Sequence, residues 1–404
     1  MREKNLFLKD KILYQNYKGN SIKLLSKKFD KIFSEIKRDI KNEKKTLNVL
    51  DSRFKFNFKI KDLKRYKRFK TIAIIGMGGS ILGAEAIYDF FQTKIKKKFY
   101  FFNNLDENKV TDFKKKENLS KVLFVIISKS GNTVETLSNV FAFNILKKNS
   151  KNIILISEKH NLLFTISKNL NLFFIEHKSN IGGRYSVLSE VGIIPAYLMG
   201  INIFKLRSKI LECLQGKNKI FLKQSTIKIT NLIESKNFKS LVFINYFPRL
   251  EKFLYWCQQL VAESLGKKKK GFLPVISNAP KDHHSLLQLY LDGPKDKLFN
   301  IFSFDSKSKE KIIINKNLGI KNFLSKKNLS KIKNAQKKAL LKSFLKKTIP
   351  FREFELKKAN EEVLGKLFSF FIIETIIVGK LLKINPFNQP AVEQVKIYTK
   401  KYLT

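Results

Sequence analysis

The chain has 404 residues, 43% of them hydrophobic, which is too long for one ordinary core and predicts a globular protein of two domains. Its 81 basic and 33 acidic residues leave a net charge of +48, but Lys outnumbers Arg throughout and no cluster of Arg with aromatics stands out, so the charge reads as composition and no specific nucleic-acid partner is expected. The start lacks an apolar core, the longest apolar run (367–382) is broken by Glu374 and Lys380, and Cys213 and Cys257 have neither metal nor disulfide spacing; no signal peptide, bilayer span, metal or disulfide framework is expected, and the expected compartment is a reducing cytoplasm.

Residues 1–50 read as a polar helical extension packed on the first domain. The first informative stretch is 71–91. A continuous apolar run, Ile72 to Ile75, predicts a buried strand. Gly76, Gly78, Gly79 and Ser80 then precede a helix, a layout that brings backbone N–H groups close to an anion. The glycine spacing is not that of a dinucleotide site, and no acidic residue follows at the right distance. A smaller anion or a sugar is therefore expected. Residues 122–146 repeat the layout, with a strand from Val122 to Ile127 and a helix from about Thr133. Ser128, Ser130, Thr133, Thr136 and Ser138 crowd this junction, and a single helix cap accounts for only one of them. Hydroxyls beside helix N–H groups suit a phosphate monoester.

Short strands at 153–156 and 172–175 alternate with helices, which predicts a parallel, doubly wound sheet. Ligands of such sheets bind beyond the carboxyl ends of the strands. Arg184 follows the flexible pair Gly182–Gly183 and can reach a cleft, although Glu190 offers it a local ion-pair partner. The second domain is expected from 202. Its strand at 241–245 leads into an amphipathic helix that places Gln259 and Glu263 on one face, where a carboxylate can act as a general base. His283 and His284 stand at the start of a further helix and are candidates for proton transfer. Residues 307–347 read as a Lys- and Asn-rich surface excursion. A last helix, 391–403, carries Lys396.

Six of these pieces, in order, are GMGGSILG (76–83), SKSGNTVET (128–136), GGRYSVLSEVG (182–192), QQLVAESLGK (258–267), HHSLLQLYLDG (283–293) and NQPAVEQVK (388–396). Together they resemble the glucose-6-phosphate isomerase (phosphoglucose isomerase) family of the sugar-isomerase (SIS) superfamily. The resemblance implies an α/β fold of two doubly wound parallel-sheet SIS domains, 51–201 and 202–385, with helical extensions at 1–50 and 386–404. It implies interconversion of glucose 6-phosphate and fructose 6-phosphate through ring opening and a cis-enediolate, with no cofactor and no metal. By resemblance Glu263 moves the proton between C1 and C2, His284 opens the ring, Lys396 assists at the ring oxygen, and Arg184 stabilises the enediolate. Ser128, Lys129, Ser130, Thr133 and Thr136 match the phosphate loop, Gly79, Ser80 and Gln259 match sugar-binding positions, and Glu135 matches an acidic residue near the site. His283 takes the place of His284 if the register shifts by one. The family's histidine comes from a neighbouring subunit, which implies a homodimer. The Ser-Gly-Asn-Thr form of the phosphate loop also occurs in other sugar-isomerase domains. It leaves a dual phosphoglucose/phosphomannose isomerase, another sugar-phosphate isomerase, or a non-enzymatic sugar-phosphate sensor as alternatives.

Overall fold

The computed structural model describes residues 6–12, 19–305, 323–324 and 327–403. In chain order its strands are β1 (Leu6–Asp10), β2 (Thr71–Gly76), β3 (Lys98–Phe102), β4 (Val122–Ile127), β5 (Ile153–Ser157), β6 (Phe173–Glu176), β7 (Ser240–Asn245), β8 (Leu273–Asn278), β9 (Lys297–Phe304) and β10 (Phe351–Leu356). They form two five-stranded sheets, ordered β3-β2-β4-β5-β6 and β1-β10-β9-β7-β8. All pairings are parallel except β1 with β10. Helices cover the sheets, so the central strands β2 and β4 are buried along their whole length. That burial explains their unbroken Ile, Val, Leu and Phe runs.

The strand period of two sends side chains to opposite faces. Ile72 and Ile74 of β2 join a large core that also holds Phe243 and Phe302 of the second sheet, whereas Ala73 and Ile75 face a smaller cluster with Phe102, Phe113 and Phe143. The two halves thus share one apolar core. At its centre the helix Leu82–Phe91 packs against the helix Glu251–Leu265. The long apolar helix is Glu361–Leu381, and its Glu374 is buried because Arg352 of β10 and Ser225 bond it. No helix among the described residues is long and apolar enough to cross a membrane. Cys213 and Cys257 are both buried thiols.

Two expectations differ from what is found. The N-terminal stretch is not wholly helical and does not pack on the first sheet alone: β1 pairs antiparallel with β10 at the edge of the second sheet. A helix, Gly19–Lys41, follows and packs on Glu361–Leu381. The second sheet leaves an edge at β10, and Leu6 and Leu8 supply the alternating apolar pair that fits it. Of the supposed surface excursion at 307–347, residues 329–346 form a helix that buries Leu340 and Phe344, and 306–322 and 325–326 lie outside the described residues, as do 1–5 and 13–18 of the N-terminal stretch.

In the first sheet the chain passes from β2 to β3 on one side and then crosses to β4 on the other. The crevice beyond the ends of β2 and β4 is therefore the topological switch point, where open α/β sheets hold their ligands. The glycine turn leaves β2 and the hydroxyl-rich loop leaves β4 at this crevice, and Gly76 is the register partner of Ile127.

Candidate active site

The site is built from five segments that meet at this crevice. The turn Gly78–Ser80 follows β2. Gly78 adopts φ +49, and a Cβ there would lie 2.6 Å from the Gln259 amide nitrogen. A Cβ on Gly79 would lie 2.2 Å from the carbonyl carbon of Gly183. Two glycine turns distant in sequence therefore touch backbone to backbone, which only residues without a side chain permit. Ser186 fastens the contact, since its hydroxyl lies within hydrogen-bond reach of the carbonyls of both Gly79 and Gly183.

This contact places Arg184, the next residue, against the end of the Glu251–Leu265 helix. Its side chain is 2% exposed, and all five of its N–H donors are engaged. Nε donates to Ser264 Oγ at 2.8 Å. One terminal nitrogen donates to Glu263 Oε2 at 3.2 Å and to Gln389 Oε1. The other donates to the carbonyls of Pro386 at 2.6 Å and Asn388 at 3.1 Å. Arg184 thus pairs with Glu263 and not with the nearby Glu190, whose carboxylate is buried and accepts from the Asn57 N–H. Burial holds the Glu190 carboxyl above its usual range.

Glu263 is 27% exposed, and its second oxygen, Oε1, accepts from Gln259 at 3.0 Å. Gln259 and Glu263 sit four apart on one helix face, as their spacing predicted. Each carboxylate oxygen is held by one donor and keeps further acceptor capacity. Tyr185 closes the back of the site. Its hydroxyl donates to the Pro386 carbonyl at 2.7 Å and lies 2.8 Å from Ser264 Oγ. A hydroxyl has one proton, so the Ser264 hydroxyl donates to Tyr185 while it accepts from Arg184.

The hydroxyl-rich loop turns at Gly131, with φ +66. Ser128 and Thr133 hydroxyls lie 2.9 Å apart, and Ser130 lies 3.5 Å from Thr133. Thr133 is the residue before the helix Val134–Phe143, yet it makes no side-chain cap. The first N–H groups of that helix therefore have no side-chain cap from Thr133, and its positive end favours an anion. Thr136 Oγ1 is buried without a hydrogen-bond partner. Lys129 turns aside, donating to the Ser179 carbonyl at 2.8 Å and pairing with Glu158. Glu135 is half-buried in the first turn of the helix.

The remaining candidates make other contacts. His283 is half-buried, its Nε2 2.7 Å from the Tyr246 hydroxyl, and burial lowers its pKa. His284 beside it is exposed. Lys396 sits on the helix Ala391–Leu403, which buries none of its residues, and its Nζ lies 2.7 Å from Glu393. The structure therefore brings together Gly79, Ser80, Arg184, Gln259 and Glu263 near the hydroxyl-rich loop, and leaves His284 and Lys396 on exposed surface. Among the described residues no three His, Cys, Asp or Glu side chains group as metal ligands would. The sequence reading passed over Tyr185, Ser264, Lys267 and Gln389, although all four lie inside the motifs it quoted.

The sequence profile of the phosphoglucose isomerase family matches residues 57–403. The chain is 36% identical to a probable glucose-6-phosphate isomerase of Methanococcus maripaludis, over 96% of this chain and 90% of that one. It is 34% identical to the glucose-6-phosphate isomerase of Methanocaldococcus jannaschii, over 83% and 85% of the two chains. Among solved structures, a hypothetical protein from Thermus thermophilus superimposes with a TM-score of 0.84 at 23% identity, covering 99% of this chain and 100% of that one.

Proposed function

This chain belongs to the phosphoglucose isomerase family, and from that premise we propose how its residues interconvert glucose 6-phosphate and fructose 6-phosphate. The reaction moves one proton between C1 and C2 of the opened sugar. Glu263 takes the proton from C2 of the aldose and returns it to C1, and the reverse reaction retraces the path. The cis-enediolate formed between these steps is negative, and the Arg184 guanidinium stabilises it by charge from beneath the carboxylate. The phosphate sits on Ser128, Ser130, Thr133 and Thr136 at the positive end of the Val134–Phe143 helix, with Lys129 at the loop edge. Binding energy gained there, away from the reacting carbons, positions C1 and C2 against Glu263. Gly79, Ser80 and Gln259 line the sugar.

The observation that carries this reading is the hold on Glu263: one oxygen bonded by Arg184, the other by Gln259, and the carboxylate still 27% exposed. A base held from behind faces its substrate without losing its place. Ring opening is assigned to His284, carried to the site of a neighbouring subunit in a homodimer, with Lys396 at the ring oxygen. Exposure of both residues supports this assignment, since neither is committed to its own core.

The test is a coupled assay of fructose 6-phosphate turnover, comparing wild type with Glu263→Gln. The amide keeps the size of the side chain and one of its two acceptor oxygens but loses the base, so kcat is expected to fall about 10²- to 10⁴-fold with KM little changed. Equal activity in both proteins removes Glu263 from the mechanism. A folded wild type that turns over mannose 6-phosphate as fast as glucose 6-phosphate moves the reading to a dual-specificity isomerase.

A further inference from the structure

The helix that carries Glu263 ends at Leu265, and the chain then turns sharply at Gly266, whose N–H donates to the Ala262 carbonyl. A Cβ on Gly266 would lie 2.6 Å from that carbonyl oxygen. The turn sends the Lys267 side chain back over the end of its own helix. Its Nζ donates to the Ser264 carbonyl at 2.9 Å and, across a gap of more than a hundred residues in sequence, to the Asn385 carbonyl at 2.8 Å. Asn385 opens the segment whose Pro386, Asn388 and Gln389 take three of the Arg184 N–H groups.

We propose that Lys267 is a positioning residue of the isomerase: its amine ties the end of the Glu263 helix to the 385–389 segment and so fixes the seat of Arg184 and Glu263. The inference rests on the roles given above to Glu263 and Arg184. Two features make the tie specific. Arg184 depends on that segment for three of its acceptors, so a shift of the segment moves the guanidinium, and with it the donor on Glu263 Oε2. Lys270, one turn further on, reaches the same stretch earlier, at the Leu382 carbonyl, and has Glu234 as a distant partner. It holds the chain but not the site, and serves as the internal control.

Lys267 is also placed to respond to pH. It is half-buried, and burial, with Arg184 close by and Glu263 acting in the opposite sense, pushes its pKa down to about 8. Arg184 from the glycine turn and Glu263 from its own helix are the charged groups facing it, and the 385–389 segment faces it with a carbonyl. Below this value the ammonium donates charge-assisted bonds to both carbonyls. Above it a neutral amine remains, and those bonds weaken.

The experiment compares wild type, Lys267→Met, Lys267→Arg and Lys270→Met by kcat and KM across pH 6 to 10, and by amide hydrogen exchange over 385–390. Lys267→Met is expected to lower kcat about tenfold to a hundredfold with a smaller change in KM, because displacement of catalytic groups by about an ångström costs that much. Lys267→Arg, which still donates to carbonyls, is expected to recover most of the rate. The wild-type fall in kcat above pH 8 is expected to be absent in Lys267→Met. Exchange over 385–390 is expected to quicken in Lys267→Met, whether or not the sugar turns over, and Lys270→Met is expected to keep wild-type kcat. Unchanged exchange in Lys267→Met overturns the proposal, and so does a Lys267→Arg variant no better than Lys267→Met. A wild type without turnover whose 385–390 segment still loosens in Lys267→Met keeps the tie and rejects the reaction assigned to it.

Discussion

Arg184 and Lys396 are both cations expected to meet the same sugar, and the fold treats them in opposite ways. Arg184 is 2% exposed and spends every donor on the protein, drawing together the second glycine turn, the Glu263 helix and the 386–389 segment. Lys396 is 63% exposed on a helix with no buried residue, and among the described residues its side chain pairs with a neighbour three positions away. His283 and His284 repeat the contrast in adjacent residues, one bonded to Tyr246 and the other in solvent. The difference separates two kinds of proposed catalytic group. Those that must be in place before the substrate arrives are built into the core, where displacing them costs stability. Those proposed for ring opening lie on parts of the surface that substrate or a second chain completes.

The contrast breaks most easily at Arg184. Arg184→Met removes the donor to Glu263 Oε2 and those to Ser264, Gln389, Pro386 and Asn388, so it is expected to cost roughly 3 kcal/mol of stability and to abolish turnover, as read from urea midpoints and the coupled assay. Loss of activity at unchanged stability would put Arg184 in the same class as Lys396. The second prediction sharpens the other side. His284→Ala is expected to lower kcat about a hundredfold without lowering the melting temperature. Mixing inactive His284→Ala and Glu263→Gln chains is expected to restore part of the activity, because one site of each hybrid then holds both intact groups. Mixtures that stay inactive would place the histidine in the site of its own chain. Third, Lys396→Ala is expected to reduce kcat on the order of tenfold, at the low end for proton-transfer groups, with an unchanged melting curve.

The smallest expected effect concerns a histidine that serves the core alone. His177 is buried between β6 and the second glycine turn, its Nε2 3.0 Å from the Ile181 carbonyl, and burial pulls its pKa from 6.5 to about 4. The folded state therefore binds fewer protons than the unfolded chain between those values, so stability falls as pH drops through that window. Going from pH 6.5 to about 5.5 is expected to remove about 1 kcal/mol through this residue, and His177→Gln should flatten that part of the curve of melting temperature against pH.

Much of the scaffold was legible because it obeys simple periodicities. The runs Ile72–Ile75 and Val122–Ile127 are β2 and β4 almost to the residue, and the spacing of Gln259 and Glu263 gave their shared face. β10 escaped notice because its sequence, FREFEL, looks like surface. Arg352 and Glu353 are buried there, paired with Glu374 and Lys337 from distant helices. The network around Arg184 was hidden for a related reason. Two of its acceptors are main-chain carbonyls, which have no residue identity to read, and Glu190 offered a nearer carboxylate than the one used. The closeness of Gly79 to Gly183 was likewise invisible, although the double glycines of both turns were the clue that two backbones meet there.

The pairing of β1 with β10 bears on the way the polypeptide is made. The first described strand leaves the ribosome early and finds its neighbour only after the chain has been extended through the Phe351–Leu356 strand. Its apolar side chains, Leu6 and Leu8, stay without their final cover for most of synthesis, while the first sheet, whose strands lie between Thr71 and Glu176, can close behind them. Sealing the second sheet is thus a late, long-range event, because the strand that closes its edge pairs with a segment more than three hundred residues later in the chain.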